Sequence, residues 1–203
     1  MRRIVMFNRV SADGYFADAD GGLGWVVPEP ALDQKAAGNL GSADTILFGR
    51  RTYEMFESFW PHAVDQDPHA PGRHSPQMQA MGRWINEAEK LVFSRTRTGV
   101  TWRNSRLLPE FDPGEVEALK NGPGKDIMIF GSGSIVALLT EHRLIDEYRL
   151  VVSPVFLGNG LPMLRGMPAS VRLELRDLQP HPCGNVTLTY APAAPPPLAS
   201  RTG

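Results

Sequence analysis

The chain has 203 residues, 42% of them hydrophobic, with 21 basic against 22 acidic side chains and a formal charge of -1. That is long enough to bury one good core, and the balanced charge gives no reason to expect nucleic acid or another polyanion as a partner. No stretch approaches the roughly 20 apolar residues that span a bilayer, and the lone Cys183 makes neither an intrachain disulfide nor a cysteine-based zinc site, which fits a reducing cytoplasm.

At the N-terminus, MRRIVMFNRVSADGYF places basic residues before an apolar run, but Asn8, Arg9 and Asp13 interrupt it too early for a signal segment. Residues 3–10 read instead as a first strand. A helix follows over 30–41, ended by Gly41, then a strand at 45–48 and a helix at 52–59 stopped by Pro61. The Pro- and His-rich stretch 61–76 reads as an exposed loop. Its histidines, with Asp65 and Asp67, match no helix face or common zinc spacing, so no metal site is assigned and a loop over the pocket is the better account. A helix over 77–90, a strand at 91–93, a helix over 114–121 closed by Gly122, a strand at 127–130 and a helix over 134–142 come next. Residues 147–156 are strand-like, 157–164 a turn-rich loop, and 172–191 a closing strand pair. Residues 192–203 read as a disordered tail behind a single domain of 1–191. The alternation predicts an α/β fold with a mainly parallel central sheet flanked by helices and an antiparallel pair at the C-terminus.

Two segments share one grammar. SADTILFGRRTYEMF (42–56) and DIMIFGSGSIVALL (126–139) each run from a buried strand through glycine into a helix. Glycine lets the backbone turn sharply and approach a ligand, while the helix aims unpaired N–H groups and its positive dipole end at the same place. Arg50 or Arg51 adds charge and Thr52 is a candidate cap at the first junction. Gly131, Ser132, Gly133 and Ser134, followed by Ile135, offer backbone and two hydroxyls at the second. Either junction alone also reads as an ordinary strand–helix turn. Neither is a P-loop or a full Gly-x-Gly-x-x-Gly fingerprint; the pair is what points to an anion site. Between them, Ser94, Arg95, Thr96 and Arg97 follow the strand at 91–93. Such a cluster suits a phosphate monoester or a solvated polar turn.

With SADG, ILFGRRTYE, LVFSRT and LIDEYRLVVSPVFLGNG in this order, the chain resembles the dihydrofolate reductase-like superfamily over about residues 2–191. More narrowly, it resembles the C-terminal reductase domain of the bifunctional riboflavin-biosynthesis deaminase/reductase. The resemblance implies NADPH across the sheet, its pyrophosphate between Gly49 to Thr52 and Gly131 to Ile135, and its 2′-phosphate at Ser94, Arg95 and Thr96. It also implies a homodimer built in part from 148–164, a stretch more apolar than one strand of a small sheet needs.

In dihydrofolate reductases a carboxylate on the first helix serves the proton, and Asp33 is the residue placed to do so here; an acid in a first turn is also favoured by the helix dipole alone. Glu29, before the helix, is a second candidate. The substrate is expected to be a small heteroaromatic compound. Asp13 borders it in a turn that equally serves to reverse the chain, and Trp25, Phe56 and Trp60 are candidate walls that are equally core aromatics. Arg73, after Asp67 and Pro68, stands where riboflavin-type reductases carry an arginine for the substrate phosphate. No zinc-binding deaminase cluster is present in the sequence. Alternatives are a stand-alone reductase of dihydrofolate, pterins or other small molecules, and a non-catalytic NADPH-binding sensor or structural dimer.

Overall fold

The computed structural model describes residues 1–29, 40–64, 75–164 and 166–194. Eight strands form one sheet in the order β5-β4-β3-β6-β1-β7-β10-β9. They are β1 (Ile4–Ser11), β3 (Ala43–Gly49), β4 (Glu89–Phe93), β5 (Ser105–Leu108), β6 (Asp126–Phe130), β7 (Glu147–Ser153), β9 (Leu173–Pro180) and β10 (Val186–Pro192). The first six in that order run parallel, and β10 and β9 are antiparallel. A separate ribbon pairs β2 (Tyr15–Ala17) with β8 (Leu161–Pro162). The helices are α1 (Arg50–Phe59), α2 (Pro76–Glu87), α3 (Pro113–Asn121) and α4 (Gly133–Glu141). This is the mixed α/β arrangement expected from the sequence, a mainly parallel sheet flanked by helices with an antiparallel pair from the C-terminal strands, and no described helix is long and apolar enough to cross a membrane.

Side chains alternate across each strand, so neighbouring residues feed two cores. On one face Ile46, Phe48 and Val92 pack under Tyr53 and Phe56 of α1 and Met81, Trp84 and Ile85 of α2. The other face sends Ile4, Met6, Leu47, Leu91, Phe93, Ile127 and Ile129 against Val116 of α3 and Ile135, Val136 and Leu139 of α4. Central parallel strands covered on both sides read as continuous apolar runs, which is why TILF and IMIF were legible.

Several elements and boundaries differ from expectation. The helix predicted to 90 stops at Glu87, because Ala88 is extended (ψ 146°) and β4 starts at Glu89. Lys90 is fully buried in that strand, its ammonium donating to the carbonyl oxygens of Ile85 and Ala88 at 2.7 Å and of Asn86 at 3.2 Å, with the Trp102 ring 4.6 Å away. A lysine in a helix-favouring run thus becomes the polar stop of that helix. Strand β5 was missed because four residues with one arginine carry little pattern, and β8 lies inside the expected loop. At the far edge, β10 runs to Pro192, and the Ala193 N–H still donates to Arg172 O at 2.9 Å.

Strand β9 forms the open edge, exposed along nearly all its length. Its register shifts against β10 between Thr189 and Tyr190: Leu178 pairs with Leu188, but Leu175 pairs with Tyr190 and Leu173 with Pro192. The extra residue places Leu173, Leu175 and Leu178 on one face, 38%, 52% and 54% exposed.

Candidate active site

In the sheet β4, β3, β6 and β1 are consecutive, so their carboxyl ends bring together residues 94–97, 49–52, 131–135 and 11–14. The two glycine junctions touch. The Gly49 N–H donates to Ser132 Oγ at 2.8 Å, and the Ser132 N–H donates to Thr52 Oγ1 at 3.0 Å. Gly131 and Ser132 are both left-handed (φ 56° and 57°), and the Gly131 N–H donates to Asn8 Oδ1 at 2.6 Å. A Cβ on Gly49 would lie 3.3 Å from both Ser132 Oγ and Ile135 Cγ1; one on Gly133 would lie 2.6 Å from the Met163 carbonyl oxygen. These glycines permit contact between backbones that any side chain would force apart.

Two expectations change. Thr52 does not cap its own helix, and Ser132, itself 6% exposed, accepts the Gly49 N–H instead of presenting an idle hydroxyl. Both side chains lock the junctions together. What faces outward is backbone: α1 and α4 start without a side-chain cap, so the first-turn N–H groups of Arg50, Arg51, Gly133 and Ser134 have no intrahelical acceptor. Ser134 is exposed, and Ile135 is buried against the core.

Charge is distributed unevenly around these starts. Arg50 pairs with Glu54 at 3.0 Å, and Arg97 lies over the Tyr53 ring while meeting Glu57 at 3.2 Å and Glu54 at 3.7 Å. Arg51 and Arg95 are exposed, with no ion pair among the described residues. Beside them Ser94 is buried, and its oxygen accepts the N–H groups of Arg97 at 3.0 Å and Thr96 at 3.3 Å. Ser94 therefore shapes the turn, leaving Arg95 and Thr96 at the surface. The net result is backbone donors and two unpaired guanidiniums, a set suited to a polyphosphate with a further phosphate near β4.

On the other flank Asp13 is a tie between loops. Its carboxylate accepts from Ser11 Oγ at 2.6 Å and from the backbone N–H groups of Gly158 at 2.7 Å and Leu157 at 3.1 Å. The Ser11 bond, then those backbone donors, hold its pKa below the ordinary carboxylate value. Phe56 stacks on Phe130 (centroids 5.7 Å apart) and packs with Trp60 at 6.1 Å, both rings half-buried on the α1 side of the sheet. Trp25 is half-buried in the segment leading to Glu29, which is 5% exposed. Asp33 and Arg73 lie outside the described residues, as do Asp65, Asp67 and Pro68.

Sequence reasoning missed Asn8 as the partner of Gly131; its signal was a lone amide inside an apolar strand. A cleft of about 640 Å³ beside Glu57, His62, Asn86, Thr101, Trp102 and Arg103 is separate from the strand ends. Its wall is internally bonded, Trp102 Nε1 to Asn86 Oδ1 at 2.7 Å and Thr101 Oγ1 to Glu57 Oε1 at 3.2 Å.

The model of the RibD C-terminal domain matches residues 2–188. The uncharacterized protein YyaP of Bacillus subtilis is 28% identical over 193 residues, 93% of this chain and 94% of its own. A putative riboflavin biosynthesis protein from Shewanella sp. PV-4 superposes with a TM-score of 0.72 at 22% identity, covering 95% of this chain and 99% of that one. The Thermotoga maritima diaminohydroxyphosphoribosylaminopyrimidine deaminase/5-amino-6-(5-phosphoribosylamino)uracil reductase gives 0.63 at 13%, with 95% and 57% covered. Enterococcus faecalis dihydrofolate reductase complexed with NADP(H) gives 0.62 at 13%, with 95% and 97% covered. The fold, the paired junctions and the family match along nearly the whole length lead to one conclusion: this chain belongs to the RibD C-terminal domain family.

Proposed function

We propose that the protein is an NADPH-dependent reductase of the riboflavin type, acting on 5-amino-6-(5-phosphoribosylamino)uracil or a close pyrimidine relative. The observation that carries this reading is the pair of side-chain-uncapped helix starts, locked together by Ser132 and Thr52 beside the unpaired Arg51 and Arg95. Family membership supports a reductase, and the fold relative with NADP(H) supports a nicotinamide cofactor. When bound, that cofactor supplies a hydride. Within the runs Gly49 to Thr52 and Gly131 to Ile135, the free first-turn N–H groups of Arg50, Arg51, Gly133 and Ser134 hold its pyrophosphate, while Arg95 and Thr96, on the turn built by Ser94, hold the 2′-phosphate. Asp13 fixes the loop bordering the acceptor, Trp25, Phe56 and Trp60 wall it, Arg73 meets its phosphate, and Asp33 delivers or orients the proton.

Titration with NADPH and NADH tests the cofactor assignment. NADPH binds about tenfold or more tightly if one charge-assisted contact is worth roughly 1.5–3 kcal/mol, and Arg95→Ala narrows that gap. Equal affinities in the unmodified protein overturn it. Turnover follows from NADPH absorbance with the pyrimidine as acceptor; Asp33→Asn lowers it strongly while NADPH affinity stays nearly unchanged.

The chain also forms a homodimer in this reading. The supporting observation is the row of Leu173, Leu175 and Leu178 on the open edge rather than β7, which is an interior strand between β1 and β10. Light scattering at micromolar concentration gives twice the chain mass; a monomer mass rejects it.

A further inference from the structure

Along β1 the residues Ile4, Met6, Asn8 and Val10 alternate onto the face that packs toward α4, and Asn8 is the polar member of that row, 3% exposed. Phe7 lies opposite Phe130 of β6, so Asn8 meets Gly131 on the next rung, where β6 ends. There Asn8 Oδ1 accepts the Gly131 N–H at 2.6 Å, while Asn8 Nδ2 is buried with no hydrogen-bond partner among the described residues. Exchanging amide oxygen and nitrogen would set two donors against each other, so the orientation is fixed. A stranded buried donor costs stability, and a leucine would fill the same row without it. What the position gains from asparagine is the oxygen.

That oxygen holds the turn from behind. Gly131 and Ser132 both stand in the left-handed region (φ 56° and 57°), which a serine enters only at a cost, and both of their N–H groups are spent inward, on Asn8 Oδ1 and on Thr52 Oγ1 at 3.0 Å. The chain then enters the helix, with the Ile135 and Val136 N–H groups donating to the Ser132 carbonyl at 2.8 and 3.0 Å. Between these two sets, the N–H groups of Gly133 and Ser134 have no intrahelical acceptor. An aspartate at position 8 would accept the Gly131 N–H at nearly the same volume and strand no nitrogen. It would also place a full negative charge behind donors that favour an anion.

We propose that Asn8 is a positioning residue for anion binding at the start of α4: its neutral amide pins the left-handed turn so that the Gly133 and Ser134 N–H groups face a pyrophosphate, and it adds no negative charge there. This rests on the nicotinamide-cofactor reading above. Asn8 itself touches no ligand; it acts through Gly131.

Calorimetric titration of the whole protein at fixed ionic strength tests this, with inorganic pyrophosphate, NADPH and adenosine 2′-monophosphate as probes of the unmodified chain, Asn8→Leu and Asn8→Asp. Asn8→Leu removes the acceptor and weakens pyrophosphate and NADPH about tenfold. Asn8→Asp keeps the acceptor but adds the charge, and weakens both further, about a hundredfold in all. Adenosine 2′-monophosphate, which has no pyrophosphate and engages the turn at Ser94, Arg95 and Thr96, keeps its affinity in both variants. A purely structural bond predicts the reverse order, with the aspartate restoring what the leucine loses. An unchanged pyrophosphate affinity in Asn8→Leu, an affinity in Asn8→Asp no lower than in Asn8→Leu, a parallel loss of adenosine 2′-monophosphate, or no pyrophosphate binding by the unmodified protein would each overturn the assignment. Should the aspartate variant not fold, Asn8→Leu decides alone. Failure of the cofactor reading looks different: pyrophosphate binds and is lost in the variants, while NADPH binds the unmodified protein no better than NADH.

Discussion

Helices α2 and α3 begin in one way and helices α1 and α4 in another. At α2 the Ser75 hydroxyl accepts the Met78 N–H at 3.2 Å, and at α3 the Asp112 carboxylate accepts the Gly114 N–H at 2.8 Å, each followed by proline in the first turn. Those starts are closed by residues adjacent in sequence. Helices α1 and α4 start at Gly49 and Ser132 with no side-chain cap, held by bonds across 80 and 83 residues of chain. A locally closed start serves stability, whereas a start closed by its counterpart leaves its first-turn donors for a ligand.

The contrast breaks most visibly at Gly133. Replacing it with Ala sets a Cβ 2.6 Å from the Met163 carbonyl, so the backbone has to move. Gly133→Ala is expected to cost about 1–3 kcal/mol in a urea titration, as overpacked positions do, and to lose most NADPH affinity. If the affinity survives, the α4 start is not part of the cofactor site.

Lys90 tests the opposite kind of end, the C-terminus of α2. Lys90→Met keeps the volume but leaves the carbonyl oxygens of Ile85 and Ala88 without that donor, an expected loss of about 1–3 kcal/mol with NADPH binding unchanged. Burial, with a smaller contribution from the charge of Arg103, pulls the Lys90 pKa down from 10.5 to about 8. Between those values the unfolded chain holds a proton that the folded one has released. Stability relative to Lys90→Met should therefore rise as pH climbs from about 8 to 10.5, measurable by chemical unfolding at a series of pH values. A flat difference across that range would mean the ammonium stays charged in its cage of carbonyls.

Ser132→Gly accommodates the left-handed backbone but removes the acceptor of the Gly49 N–H. Stability should stay within about 1 kcal/mol while NADPH affinity falls severalfold, because the two starts lose their register. The mildest change is expected from Ser75→Ala, about 1 kcal/mol in stability and nothing in cofactor affinity. A cofactor defect in Ser75→Ala, or none in Ser132→Gly, would erase the distinction between the two kinds of start.

How much of this was legible depended on the range of the signal. Glycine after an apolar run, helical segments closed by glycine, and buried parallel strands are local patterns, and they located the junctions, most of the helices and most of the sheet, while the caps at Ser75 and Asp112 were not singled out. The role of Ser132 was not readable, because its partner is 83 residues away and a serine near a helix start ordinarily reads as a cap. Asn8 was hidden for the same reason, its partner lying 123 residues on. Lys90 misled because a helix-favouring residue at the end of an amphipathic run gives no hint that its stem will be buried in a strand. The single register shift in β9 lay beyond reach too, since the spacing of its leucines fits either alternation until the partner strand is known.

That register shift makes β9 sensitive to chain length in a way its composition does not suggest. Between Leu175 and Leu178 stand two polar residues, Arg176 and Asp177, where strict alternation allows one. The bulge works as a phase adjustment: a deletion of Arg176 would leave every leucine in place and remove the reason for the bulge, producing a flatter, regularly paired edge with the same apolar row. Deleting a residue on the other side, between Leu178 and the turn, would instead carry the whole row to the opposite side of the sheet. Two deletions of equal size in one exposed strand would thus have opposite consequences, one smoothing the surface and the other exchanging its two sides.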